Sequence, residues 1–327
     1  MRKTFRPGPA LSVALGLALA GCQAETGVRV LKLAHSLDTS HPVHRAMVHM
    51  ADRAEELSDG RMRIEIHPSG QLGEERELIE MLQIGSIAMT KVSASPLESF
   101  VPEMTVFSIP YVFRDQDHLW QVLNGEIGEE LLAAGAEYHL RGLAYYDAGP
   151  RSFYTTDTPV RTPSDLAGLK IRVQKSYTAS RMVQVLGAAA TPIDWGELYS
   201  ALQQGVVDGA ENNLPSFYLS RHYEVSPFYT MDEHTWVPDV LLISTHVWNA
   251  LSGEEQGWLR EAARSSVAEQ RRLWGESTME ALAAVQAAGV QVIRPDKEPF
   301  RLTAEPMVES YRGTPTYDLI QAIQEIR

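Results

Sequence analysis

Cysteine occurs once in the 327 residues, at Cys22, so the chain beyond it can hold no disulfide and no thiolate metal site. Long apolar runs are equally scarce. After Ala20 no apolar stretch approaches the roughly 20 residues that a membrane-spanning helix needs. Positive charge is short too: 29 Lys and Arg stand against 42 Asp and Glu, for a formal charge of −13. That balance argues against a basic face for nucleic acid or anionic lipid. An anionic small molecule would need its own local cationic pocket. Also missing are a Walker-type phosphate loop, a dinucleotide glycine fingerprint, a nucleophile elbow and HExxH. Their absence removes the commonest sequence-readable reasons to propose an enzyme without excluding one. No low-complexity linker or solenoid-length repeat interrupts the chain.

What is present begins with a charged-then-apolar N-terminus. Arg2, Lys3 and Arg6 precede an apolar run over 11–20, the layout of a secretory signal and too short for a permanent span. The run ends in Leu19-Ala20-Gly21-Cys22, similar to the bacterial lipobox, in which the cysteine is acylated and becomes the new N-terminus. A plain signal peptide with a chance cysteine is the alternative. Cleavage after residue 21 would leave 306 residues and, by removing three bases and no acid, take the charge to −16. That is enough chain for two lobes with substantial cores. The expected product is an extracytoplasmic monomer anchored to the membrane by lipid at Cys22.

Residues 28–35 alternate apolar and polar, as in a strand. Val43, Ala46, Met47, Met50, Ala51, Ala54 and Leu57 then recur three and four apart, as on one helix face, until Gly60 stops the helix. Met62, Ile64 and Ile66 alternate again, 74–84 predicts a helix ended by Gly85, and 87–92 a third strand. This order predicts a mostly parallel sheet with helices on both faces. The same grammar restarts near Gly142, with strands at 143–146, 153–155, 170–173 and 240–244 and helices at 164–167, 177–186 and 197–204. Two α/β units imply a cleft, and ligands of open α/β sheets settle beyond the carboxyl ends of strands. A helical pattern over 253–288 would extend roughly 50 Å, long enough to brace both units, with a bend expected at Gly275. The predicted division is one lobe from 27–148 with about 238–277 and a second from about 149–237 with 278–327.

Two clusters invite a metal reading and do not sustain it. His41 and His44 lie one turn apart at a helix start, where solvated side chains are the simpler expectation. Asp232-Glu233-His234 are three consecutive residues, which cannot all face one ion without a special loop.

Four segments carry a more specific pattern: Leu31-Lys32-Leu33-Ala34-His35, Gly70-Gln71-Leu72-Gly73-Glu74-Glu75-Arg76-Glu77, Gly168-Leu169-Lys170-Ile171-Arg172-Val173, and the run from Tyr199 to Asn212. In this order, from about residue 29 to the end, the chain resembles the DctP-like solute-binding subunit of tripartite ATP-independent periplasmic (TRAP) transporters. The resemblance implies a periplasmic-binding-protein-like fold of the class II type, two α/β lobes closing on a ligand and a long helix spanning both. It also implies capture of a small organic acid and delivery to the small and large permease subunits, with no catalysis, cofactor, metal or nucleic acid. By the same resemblance Arg172 holds the ligand carboxylate and Arg151 is a second ligand-facing arginine. Asn212 supplies an amide donor, Trp195 lays a ring over the ligand, and Ser93 and Glu75 face the cleft from the first lobe. The chemistry agrees, since a planar guanidinium grips both carboxylate oxygens where lysine offers one point charge. Outside the motif, Arg172 would read as a surface arginine on an edge strand, Arg151 as half of a surface ion pair and Trp195 as core. Many relatives have proline after the asparagine; here Asn213 departs from them.

The run from Glu211 to Phe217, Asp232-Glu233-His234-Thr235 and Pro238-Asp239 resemble the branch of the family that binds hexuronates such as glucuronate and galacturonate. A uronate joins one carboxylate to several hydroxyls and so needs arginine at one end and neutral or acidic partners elsewhere. Asn213, His35, Glu75, His234 and Asp239 can supply them, Glu211 joins the same set, and Trp195 offers a flat face to the ring. A C4-dicarboxylate, held end to end by Arg151 and Arg172, is the rival ligand. An exported α/β enzyme acting on uronates with Glu211 and His234 as acid and base is the rival class, and a sensory module would fit the same pocket.

Overall fold

The structure, a computed structural model, describes residues 27–326; the expected signal segment 1–21 and the lipidation site Cys22 lie outside them. Its strands are β1 (Arg29–Ala34), β2 (Met62–His67), β3 (Met89–Ser93), β4 (Leu140–Tyr146), β5 (Pro150–Thr155), β6 (Lys170–Val173), β7 (Ala189–Pro192), β8 (Gly209–Asn212), β9 (Phe228–Trp236), β10 (Asp239–Ser244) and β11 (Gln291–Ile293). They form two sheets, ordered β2-β1-β3-β10-β4 and β11-β9-β5-β8-β6-β7. Each sheet with its helices makes one lobe.

The local reasons follow the residue pattern. The helix Pro42–Leu57 starts where His41 caps it by accepting from Val43 N, with Pro42 in its first turn, and it buries Val43, Ala46, Met47, Met50 and Ala54. It stops at Ser58, after which Asp59 and Gly60 turn with φ of 50° and 76°. The helix Glu75–Gln83 opens on a capping box between Glu74 and Glu77, which satisfies otherwise orphaned amides, and it buries Leu78, Ile79 and Leu82.

The sheets are mixed rather than mostly parallel. In the first, β10 runs antiparallel to both β3 and β4; in the second, β5 runs antiparallel to β8 and β9. The cause is the chain's two crossings. β4 and β5 are consecutive yet sit in different sheets, and so are β9 and β10, so each crossing delivers a strand against the direction of its new neighbours. The strands β7, β8, β9 and β11 and the C-terminal helices Glu298–Glu309 and Pro315–Glu325 add to those expected, while 164–167 is a 3₁₀ turn, Pro163–Leu166.

The helix Gly253–Ala287 continues through Gly275 as one 35-residue element. Leu259, Ala262, Ala263 and Trp274 pack into the core of the first sheet, and Ala281 and Val285 into that of the second. Between these contacts it grips the β4–β5 crossing. Gln270 accepts from Asp147 N at 2.8 Å and donates to Asp147 O at 2.7 Å, and Ser266 Oγ lies 2.7 Å from the Tyr146 hydroxyl.

Candidate functional site

A cleft between the lobes, about 690 Å³ counting space open to solvent, is lined from both sheets. Its walls come from segments at or just beyond the carboxyl ends of β1, β3, β6, β7 and β8, and from both crossings. This is where open α/β sheets expose backbone and side chains to ligands.

Arg172 stands on β6 between β7 and β8, so its backbone is fixed on both sides. Its Nε donates to Ile193 O at 2.8 Å, its guanidinium carbon lies 5.9 Å from the Trp195 ring, and it is 2% exposed. Nη1 is buried without a hydrogen-bond partner, and no carboxylate pairs with Arg172 among the described residues. Burial pushes its pKa down, and the like charge of Arg151 adds to this; a guanidinium nevertheless stays charged. A buried cation left in this state is costly unless an anion meets it.

Arg151 on β5 is held quite differently. Nη2 donates to Glu211 Oε1 at 2.8 Å and to Glu211 O at 2.7 Å, Nε donates to Glu211 Oε2, and Nη1 donates to Asn212 Oδ1 at 2.9 Å. Burial alone would raise the Glu211 pKa, but the Arg151 charge and hydrogen bonds, with the attraction of His234, bring it down to about 2. Asn212 Oδ1 also accepts from Asn213 N at 2.8 Å, and Asn213 Oδ1 caps the helix Leu214–Leu219 by accepting from Ser216 N at 2.9 Å. Both amides therefore spend their oxygens on protein. Their NH₂ groups remain as donors beside the arginines.

The opposite wall carries a third buried cation. Lys91 on β3 lies 3.1 Å from Asp239 Oδ1 and 3.6 Å from Glu75 Oε1, and these carboxylates outweigh burial and raise its pKa. Glu75 Oε1 also accepts from Ser93 N at 2.9 Å. Burial raises the Glu75 pKa against the attraction of Lys91.

Glu75, Ser93, Arg151, Arg172, Trp195, Asn212, Asn213 and Asp239 thus converge on one cleft. Three expected residues do not line it. His35 is fully buried, its Nδ1 accepting from Leu37 N at 3.1 Å and its Nε2 lying 3.0 Å from His44 Nδ1, so both ring nitrogens are used inside the lobe. Glu211 and His234 lie behind Arg151, with His234 Nδ1 2.8 Å from Asp232 Oδ2. His41, expected at a solvated helix end, is instead 4% exposed, lines the cleft and lies 3.3 Å from Ser216 Oγ across it. The cap geometry that turns its Nδ1 onto Val43 N aims the ring inward. Lys91, Ser216 and Trp274 were not anticipated. The signal for Lys91 was a lone cation in an otherwise uncharged strand.

Residues 33–314 match the model of the bacterial extracellular solute-binding protein family 7, DctP. The chain belongs to that family. It is an extracytoplasmic solute-binding protein of the kind that serves TRAP transporters. The TRAP periplasmic solute-binding protein of Bradyrhizobium sp. BTAi1, solved in complex with α/β-D-galacturonate, is 42% identical and superposes with a TM-score of 0.88 over 91% of this chain and 100% of its own. That of Citrobacter koseri, solved with D-glucuronate, is 36% identical, with a TM-score of 0.88 over 92% of this chain and 100% of its own. YiiZ of Salmonella typhimurium is 37% identical over 301 residues, covering 91% of this chain and 92% of YiiZ.

Proposed function

We propose that this family member binds a hexuronate, D-galacturonate or D-glucuronate, with the carboxylate on Arg172. It passes the ligand unchanged to the small and large membrane subunits of a TRAP transporter, from a position outside the membrane where acylated Cys22 tethers it. The observation that carries the ligand site is the buried, unpartnered Nη1 of Arg172. Arg151, the two asparagine amides and Trp195 complete the carboxylate end.

The charge of the two walls favours a uronate over a C4-dicarboxylate. Arg151 and Arg172, with Glu211 behind them and the paired Lys175 and Asp194, give the second-sheet side a net charge of +1, whereas Lys91, Glu75 and Asp239, with Glu74 and Arg76, give the first-sheet wall −1. A second ligand carboxylate would meet that negative wall. Hydroxyls suit it, donating to the free oxygens of Glu75 and Asp239 and accepting from Lys91. An acid–base role for Glu211 and His234 finds no support, because a catalytic acid or base must come within hydrogen-bond reach of its substrate and neither lines the cleft.

Calorimetry of the mature chain with galacturonate, glucuronate, galactose, succinate and malate tests the reading. Either uronate should bind one to one and unchanged, with a dissociation constant of roughly micromolar or tighter, near −8 kcal/mol. Galactose should bind far more weakly, because it brings no charge to Arg172. Tight succinate or malate binding with none of either uronate would replace the ligand; release of a chemically altered uronate would replace the class.

A further inference from the structure

Behind Arg151 runs a row of buried charges that ligand contact does not explain. The pairing of β9 with β5 shifts register between Arg151 and Phe153. Inside that bulge Glu233 takes a left-handed φ of 50° and pairs with Lys297. A non-glycine residue holds such a backbone only where its surroundings enforce it. On either side of the bulged residue, Asp232 and His234 turn inward and are both fully buried. Asp232 Oδ1 accepts from Phe153 N at 3.2 Å, and Oδ2 lies 2.8 Å from His234 Nδ1. His234 Nε2 stands 3.5 Å from Glu211 Oε2, outside hydrogen-bond geometry but close enough for ion attraction. Glu211 in turn holds Arg151.

We infer that His234 is a positioning residue, protonated in the folded protein, whose charge between Asp232 and Glu211 lets Arg151 present its positive end to the ligand anion. Two carboxylates facing one imidazole in a dry interior need a cation between them. With that proton, the row Asp232, His234, Glu211 and Arg151 is neutral, and Arg172 leaves the wall at +1. Without it, the row carries −1 and offsets Arg172. The inference rests on an anion meeting the two arginines.

The other groups facing the imidazole do not supply this charge. Phe153 packs against it with ring centroids 4.5 Å apart and planes tilted by 33°. Tyr111 donates its backbone N–H to His234 O at 2.9 Å and its hydroxyl to Asp232 O at 3.3 Å, and burial holds its phenol well above the usual range. Glu233 turns away to Lys297. Burial pushes the His234 pKa down, yet Asp232 and Glu211 outweigh it and raise it to about 9. An anion binds the protonated form more tightly, so affinity should be level below about pH 8 and fall as pH rises through 9.

The test combines two measurements. One is the ¹⁵N shift of the His234 imidazole in the mature chain without added ligand. The other is the calorimetric dissociation constant for D-galacturonate from pH 7.5 to 10 at constant ionic strength. The imidazole should be cationic at pH 7.5, and affinity should weaken by about ten-fold across the range. His234→Gln should bind weakly at every pH with the alkaline fall gone. Asp232→Asn, which keeps the imidazole but removes its nearest carboxylate, should move the fall toward neutral pH. A purely structural role would move no such limb, and this variant keeps the inference testable if the glutamine variant misfolds. A neutral imidazole at pH 7.5, a dissociation constant unchanged up to pH 10, or a glutamine variant with wild-type affinity and slope would each overturn it. If galacturonate binds at no pH, the ligand proposal fails, while the imidazole shifts still decide the protonation of His234.

Discussion

The two terminal nitrogens of Arg172 have no protein acceptor among the described residues, and this makes binding and stability pull in opposite directions. Arg172→Lys should weaken uronate binding by about ten-fold or more, because a point charge replaces a two-pronged contact, and Arg172→Ala should weaken it further. Arg172→Met should abolish binding yet raise the melting temperature of the protein measured without ligand, since it removes an uncompensated buried charge; the gain is about 2 kcal/mol. Calorimetry and a melting scan on the same three variants check both halves. An unchanged affinity for Arg172→Lys would discard the anchor. At this scale the sequence is most informative where motifs concentrate: Arg172, Asn212 and Asn213 sit in or beside two recognisable runs, and they reach the same cleft. The partners of Lys91 were illegible because its carboxylates, Glu75 and Asp239, come from 16 residues before it and 148 residues after it. His234 and Glu211 were drawn toward the ligand by their chemistry, although the bulge in β9 turns His234 behind Arg151 and Glu211, on β8, spends its carboxylate on Arg151.

Among the elements, the long helix acts on the crossing it grips. Gln270 is fully buried and makes both of its hydrogen bonds to the backbone of Asp147. Gln270→Ala would strand a buried N–H and a buried C=O, at a cost of about 2–4 kcal/mol, which urea unfolding measures. A loss below about 0.5 kcal/mol would mean that water or a neighbour replaces the amide. The helix itself was legible from its pattern over 253–288, as were the strands that alternate. β9 was not, because Asp232, Glu233 and His234 interrupt its apolar run with polar residues that the fold buries or pairs. The antiparallel course of β10 was also hidden, since its partners β3 and β4 lie about 150 and 100 residues earlier in the chain.

For the molecule as a whole, its histidines set the pH at which it is most stable. Burial, first among the causes in each case, holds His35 down to about 2 and His41 and His222 down to about 3. These three are neutral when folded but take up protons when unfolded below the ordinary value of 6.5. Their contribution is therefore present above pH 6.5 and lost as pH falls. His234, raised to about 9, behaves in the opposite sense: its contribution is complete below pH 6.5 and lost as pH rises through 9. Among the histidines, at about 1.4 kcal/mol per proton per pH unit, these three and His44, which burial also lowers, act on the acid side and His234 alone on the alkaline side. Melting temperature plotted against pH should peak near 6.5 and fall more steeply toward acid, and His234→Gln should flatten only the alkaline side. A symmetrical peak, or one displaced above pH 8, would contradict the assignment.

The two cleft walls carry opposite charge, and hydrogen bonds from His41 to Ser216 and from Ser93 to Gln174 already span the gap. Walls of opposite sign attract one another whether or not cargo lies between them, and dissolved ions weaken that attraction. In dilute medium, unloaded copies should spend part of their time shut, presenting to the membrane subunits the same outline as loaded ones and competing for the same docking place. Scattering should then record a radius of gyration that grows with added salt in the unloaded protein and stays constant in the uronate complex. Traffic through the transporter would depend on the saltiness of the surroundings as well as on the supply of cargo, with brine sparing it the visits of empty carriers.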